Sequence, residues 1–112
     1  MRAFKVTIRR RGKTDRLRRD TLDAALDLLE FELRALTGSS RSGPASGLGR
    51  QYEPGEIVAV RGELRGPGVR AGVDVRGDGE AVAFTGRVRR AIVEPQRGES
   101  AYAALRRVLT AC

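Results

Sequence analysis

The chain has 112 residues, with 22 Lys plus Arg against 14 Asp plus Glu, no histidine and a formal net charge of +8. That length suits one domain with a modest core, and 4% aromatic content leaves Val, Leu, Ile and Ala to build it. Without histidine the commonest general acid–base and neutral metal ligand is missing, and the single cysteine, Cys112, excludes an internal disulfide, a thiolate metal cluster and a Cys/His nucleophile pair.

Phe4, Val6 and Ile8 alternate with Lys5, Thr7 and Arg9, the period of a half-buried strand. Arg9, Arg10 and Arg11 cut this stretch short of signal-peptide length, and nothing approaches the roughly 18 apolar residues of a membrane span. A cytoplasmic protein with no membrane role is expected. A turn centred on Gly12-Lys13 returns the chain through Arg16-Leu17-Arg18, setting Ile8 opposite Leu17, Arg10 opposite Asp15 and Arg9 against Arg16.

Asp20 or Thr21 can cap a helix running to about Leu36, with Gly38 as its terminating residue. Leu22, Ala25, Leu26, Leu29, Leu33 and Leu36 form one apolar stripe; Ala24, Leu28, Phe31 and Ala35 form a second. Only Asp23, Asp27, Glu30 and Arg34 are left as a polar strip. An ordinary surface helix has one apolar face. The second stripe therefore needs cover from another helix or another copy of the chain, which makes Ala24, Leu28, Phe31 and Ala35 a candidate oligomer interface. The Gly/Ser/Pro-rich stretch 38–55 reads as a flexible loop.

From Ile57 to Val93 three apolar strands can be laid on one another. Asp78-Gly79 suits a two-residue type I′ turn, pairing Val75 with Val82, Val73 with Phe84 and Ala71 with Gly86. A four-residue turn at Arg65-Gly66-Pro67-Gly68 then pairs Leu64 with Val69, Gly62 with Ala71 and Val60 with Val73. A bulge near Arg89-Arg90 accounts for the change of phase before Ala91-Ile92-Val93. Ser100 to Cys112 reads as a helix, with Ala101, Tyr102, Ala104, Leu105, Val108 and Leu109 on one side and Arg106 and Arg107 pointing away.

The motifs that could carry chemistry are weak. Asp74, Asp78 and Glu80 cluster near one hairpin, but the turn explains Asp78 and solvent explains Glu80. Gly43 to Arg50 lacks the Gly-Lys-Ser/Thr of a phosphate loop and the helix that follows it. Arg76-Gly77-Asp78 is an adhesion-type tripeptide whose residues the hairpin already accounts for. A non-enzymatic protein with no metal and no cofactor is expected.

The basic sheet face stands out. Arg61, Arg70, Arg76, Arg87 and Arg89 point away from the core in this register, and Arg9 extends the face, together with Lys5, Arg11, Arg16 and Arg18, if the first hairpin joins the sheet. Arg70 falls opposite Arg87, with Glu63 across from Arg70. The guanidinium fork matches phosphate geometry. The expected face carries no aromatic residue, so contact with nucleic acid would be led by the backbone. A solvated face in an Arg-rich protein accounts for the same residues.

The order helix, three strands, helix resembles the double-stranded-RNA-binding domain, in which Gly-Pro also separates the first two strands. The chain departs from that family in its extra first hairpin, its longer stretch before the last helix, and a basic cluster reduced to Arg97 beside Glu99. The residues thus lead to an α+β domain, an antiparallel sheet with two helices on one face. Two functions are expected from it: a basic module contacting nucleic-acid backbone through Arg9, Arg61, Arg70, Arg76, Arg87 and Arg89, or a self-associating accessory protein with no nucleic-acid role.

Overall fold

The computed structural model describes residues 3–40, 58–86 and 90–110. The chain runs β1 (Phe4–Arg10), β2 (Lys13–Arg19), α1 (Leu22–Ser40), β3 (Val58–Gly66), β4 (Val69–Arg76), β5 (Ala81–Thr85), β6 (Ala91–Val93) and α2 (Ala101–Thr110). All neighbouring strands are antiparallel, in the order β2-β1-β3-β4-β5-β6. Both helices lie on one face, α1 over β1 and β3, α2 over β5. This is the α+β architecture that the alternation predicts, with the N-terminal hairpin joined to the meander through β1 and β3.

The hairpins pair differently from the sequence expectation. The first turns on Arg11-Gly12, setting Val6 against Leu17, Ile8 against Asp15 and Arg9 against Thr14 instead of Arg16. The β3–β4 hairpin turns on Pro67-Gly68, so Leu64 faces Ala71, Gly62 faces Val73 and Arg65 faces Arg70. Both are displacements by two residues, which leave each side chain on its expected face.

The β4–β5 hairpin is displaced by one. Gly79 N donates to Arg76 O (2.8 Å), Asp78 Oδ1 accepts from Glu80 N (2.9 Å) and Gly79 takes φ +91°. A turn followed by a left-handed glycine is the three-residue loop that competes with the two-residue one for an Asp-Gly sequence. Val75 therefore faces Ala81 and Gly72 faces Phe84. A one-residue slip exchanges the faces of a strand. Ala81, Ala83 and Thr85 consequently lie under α2, while Val82 and Phe84 lie on the side away from the helices. The expected single strand to Val93 is also two strands, for β6 folds back along β5, pairing Ala83 with Val93.

Thr21 is the helix cap, its Oγ1 accepting from Ala24 N at 3.1 Å, and Ser100 Oγ does the same for Ala103 N at 3.0 Å. Helix α1 continues through Gly38, which was expected to end it. A helical glycine costs only about 1 kcal/mol relative to alanine. Residues 38–40 of the expected flexible loop are thus helical, and residues 41–57 lie outside those described.

Ala25, Leu26, Leu29 and Leu33 of α1 and Ala101, Tyr102, Ala104 and Leu105 of α2 meet the sheet in one core with Val6, Ile8, Val60, Leu64 and Val73. Gly62 lets α1 approach β3, for a Cβ there would sit 2.5 Å from Leu29 Cδ1. Between the helices the contact is polar. Arg106, expected to point away, donates to Asp23 and Asp27, and the Arg34 guanidinium lies 4.8 Å above the Tyr102 ring. The polar strip of α1 therefore faces α2.

No helix among the described residues is long and apolar enough to cross a membrane.

Candidate nucleic-acid interface

The face away from the helices is built in three rows running across the strands, each a chain of directly opposed residues. The first is Arg18–Lys5–Arg65–Arg70, one cation from each of β2, β1, β3 and β4. The second is Arg16–Thr7–Glu63–Gly72–Phe84–Ile92. The third is Thr14–Arg9–Arg61–Asp74–Val82.

Small side chains make the middle row a floor. Thr7 is buried, and Phe84 lies down over Gly72, where a Cβ would stand 2.5 Å from both Phe84 Cζ and Gly62 O. A concavity of about 300 Å³ opens above it, lined by Lys5, Arg9, Arg16, Arg65, Arg70 and Arg90, with Glu63 the one carboxylate among the described residues that line it.

Charge is distributed unevenly across this groove. In the third row Arg61 donates twice to Asp74, Nε to Oδ1 at 2.6 Å and Nη2 to Oδ2 at 3.0 Å. These hydrogen bonds, opposed by partial burial, hold the Arg61 pKa above the ordinary arginine value. Arg9 Nε lies 3.0 Å from Glu63. In the first row the described residues place no carboxylate within ion-pair distance of Lys5, Arg18 or Arg65. Three successive like-charge pairs, each unfavourable in isolation, thus run along one side.

Comparison with known proteins matches this chain to no family, no curated protein and no solved structure.

The residues proposed from sequence are only partly brought together. Arg9 and Arg70 line the groove, and Arg61 lies on the same face in the third row, opposite Arg9. Arg76 sits six positions along β4 from Arg70, roughly 20 Å away at strand rise, beside the hairpin tip. Arg87 and Arg89 lie outside the described residues; on the β5 side Gly86, whose N donates to Arg70 O at 2.8 Å, stands where Arg87 was expected, and on the β3 side Arg65 replaces Glu63 opposite Arg70, moving Glu63 opposite Gly72.

Alternation places Lys5, Arg16 and Arg18 on this face, as the structure does, whereas Arg11 lies in the first turn and Arg65, a turn residue by sequence, belongs to the face. The Pro67-Gly68 pair, the residue order of a type II turn, was the signal that could have placed it. Nor is the face free of aromatics. Phe84 is on it but only 3% exposed, with the Arg90 guanidinium 4.6 Å and that of Arg61 5.9 Å from the ring centre. It presents no open stacking surface.

The second apolar stripe of α1 divides. Leu28 belongs to the core, Ala24 is half-buried, and Ala35 and Phe31 are exposed, Phe31 at 67%. Helix α2 meets α1 along the strip of Asp23, Asp27 and Arg34 and leaves Phe31 exposed.

Proposed function

We propose that this protein is a non-enzymatic basic module that contacts the nucleic-acid backbone through its open sheet face. The observation behind this reading is the row Arg18–Lys5–Arg65–Arg70. Four cations held directly opposite one another repel, and a bound polyanion relieves that repulsion while gaining Coulombic and bidentate contacts. Phosphates in sequence present this charge along a line. With Phe84 covered, base identity contributes little.

The test is fluorescence anisotropy with a labelled oligonucleotide at several salt concentrations. Arg65→Glu with Arg70→Glu should abolish salt-sensitive binding, whereas Arg76→Glu, remote from the groove, should change it less than about threefold. Equal losses from both would show that bulk charge, not this row, governs binding.

A second reading, self-association through α1, rests on the 67% exposure of Phe31 beside exposed Ala35. Its discriminating measurement is the solution mass of wild type and Phe31→Glu.

A further inference from the structure

We infer that the end of β1 carries an anion site of its own, beside the groove, and that it takes a phosphate monoester. It stands whether or not the groove binds a nucleic-acid backbone.

Arg9, Arg10, Arg11, Ala59 and Arg61 line a concavity of about 340 Å³, with no carboxylate among its described lining residues. The ends of two strands create it. Strand β1 stops at Arg10, Arg11 begins the turn, and the β3–β4 pairing passes from Val58 to Val60 with Ala59 left out. Such a bulge bends the strand and re-aims its side chains. The residue left out has only a methyl group to place among four guanidinium groups.

Two of the four arginines are anchored. Arg61 donates to Asp74 through Nε and Nη2, two of a guanidinium's five N–H donors, and Arg9 Nε lies 3.0 Å from Glu63. An anchored fork presents its other donors in a fixed plane, so less is lost on binding. Arg10 and Arg11 have no carboxylate within ion-pair distance among the described residues, Asp15 of β2 included. Arg10 also buries its Nε without a hydrogen-bond partner. A buried donor left unmet costs stability, more so on a charged group. An anion against the same guanidinium offsets that cost.

Charge selects the ligand. Four guanidinium groups against Glu63 and Asp74 leave an excess of two positive charges. A phosphate monoester carries about −1.5 to −2 near neutral pH, with three acceptor oxygens. A phosphate within a nucleic-acid strand carries a single charge. The monoester is therefore the better match. Arg9 lines the groove as well. The phosphorylated end of an oligonucleotide lying there is one source of the group, and a free phosphomonoester is the other.

The experiment follows the arginine Nε–Hε resonances of the full chain during titration with methyl phosphate and with dimethyl phosphate. Methyl phosphate should shift Arg10 and Arg61 saturably and bind at least about tenfold more tightly than dimethyl phosphate, the difference made by one charge-assisted hydrogen bond. Arg10→Gln with Arg11→Gln should lose at least about tenfold in methyl phosphate affinity. Ala59→Met, which fills the concavity without removing a charge, should weaken binding too. Arg65→Gln with Arg70→Gln, in the groove, should change it less than about threefold.

Dimethyl phosphate binding as tightly as methyl phosphate, or equal losses in the two arginine double variants, overturns the site. An oligonucleotide with a terminal phosphate that outbinds its hydroxyl-ended counterpart, with the gain lost in Arg10→Gln with Arg11→Gln, supports the site and identifies the strand end as its ligand. Equal affinities of the two oligonucleotides, with methyl phosphate still bound, support it as a site for free phosphomonoesters. Methyl phosphate binding while neither oligonucleotide binds overturns the proposed function and leaves this site standing.

Discussion

Arg65 stands between Lys5 and Arg70, directly opposed to both, so replacing it by glutamine tests whether the row is held at a cost to stability. A directly opposed like-charge pair costs roughly 0.2–1 kcal/mol, and two such pairs set an upper bound of about 2 kcal/mol. All these charges are solvated and screened, which places the relief near the lower end, about 0.5 kcal/mol. For a domain of this size that corresponds to a rise in Tm of about 2–4 °C. Arg65→Gln should therefore unfold at higher temperature than wild type in 20 mM salt, with the difference shrinking at 0.5 M. The same variant should lose nucleic-acid affinity, and its salt slope should fall by about 0.7. Differential scanning calorimetry and anisotropy on one preparation measure both. A variant less stable than wild type at low salt, or one that binds unchanged, would refute the reasoning, because the row would then be neither repulsive nor functional.

Gly72→Ala should cost about 1–3 kcal/mol in urea denaturation, because its Cβ meets backbone at Gly62 O as well as Phe84, both at 2.5 Å. Gly62→Ala, which meets only the flexible ends of Leu29 and Leu33, should cost less; the reverse order would contradict the packing described. Arg106→Ala removes the link to Asp23 and Asp27 and should lower stability by about 0.5–1.5 kcal/mol, less at high salt. Phe31→Glu should leave the circular dichroism spectrum and Tm unchanged, and under the self-association reading it should convert a dimer mass to a monomer mass. Hydrogen bonds from Arg107 and then from the Gln96 backbone hold the Glu99 pKa below its ordinary value. The stabilisation it brings is present above the ordinary glutamate pKa of about 4.3 and lost as pH falls through the lowered value. Glu99→Gln should flatten this acid limb in thermal melts, and an unaltered limb would remove Glu99 as its source.

Most of the elements were legible in local pattern. Alternation in Phe4–Ile8 and in the strands after Ile57 marks half-buried strands, and the Leu stripe with Thr21 before it marks α1 and its cap. These signals are local because backbone geometry alone sets the periods of two and 3.6 residues. The side chosen by each stripe was less legible. Leu28 and Phe31 belong to one stripe in sequence, yet the core takes Leu28 and leaves Phe31 exposed. The polar strip carrying Asp23 and Asp27 proves to be the contact with α2, through a residue 79 positions from Asp27.

What each strand residue sits beside was decided by turn geometry together with packing. Pro67-Gly68 and Arg11-Gly12 are compatible with more than one register, and displacement by two positions preserves every face, so alternation cannot distinguish them. Those two displacements nevertheless assemble Arg18, Lys5, Arg65 and Arg70 into a row and carry Glu63 away from Arg70. At the β4–β5 hairpin the one-residue slip does exchange faces, and tertiary fit favours it. Small Ala81 and Ala83 accommodate α2 on one side, and the bare backbone of Gly72 receives Phe84 on the other. The sequence by itself determined which segments are strands and helices and that one sheet face would be cationic. Only the tertiary structure decided how the cations line up and which of them carboxylates neutralise, because register depends on contacts between residues far apart in the chain.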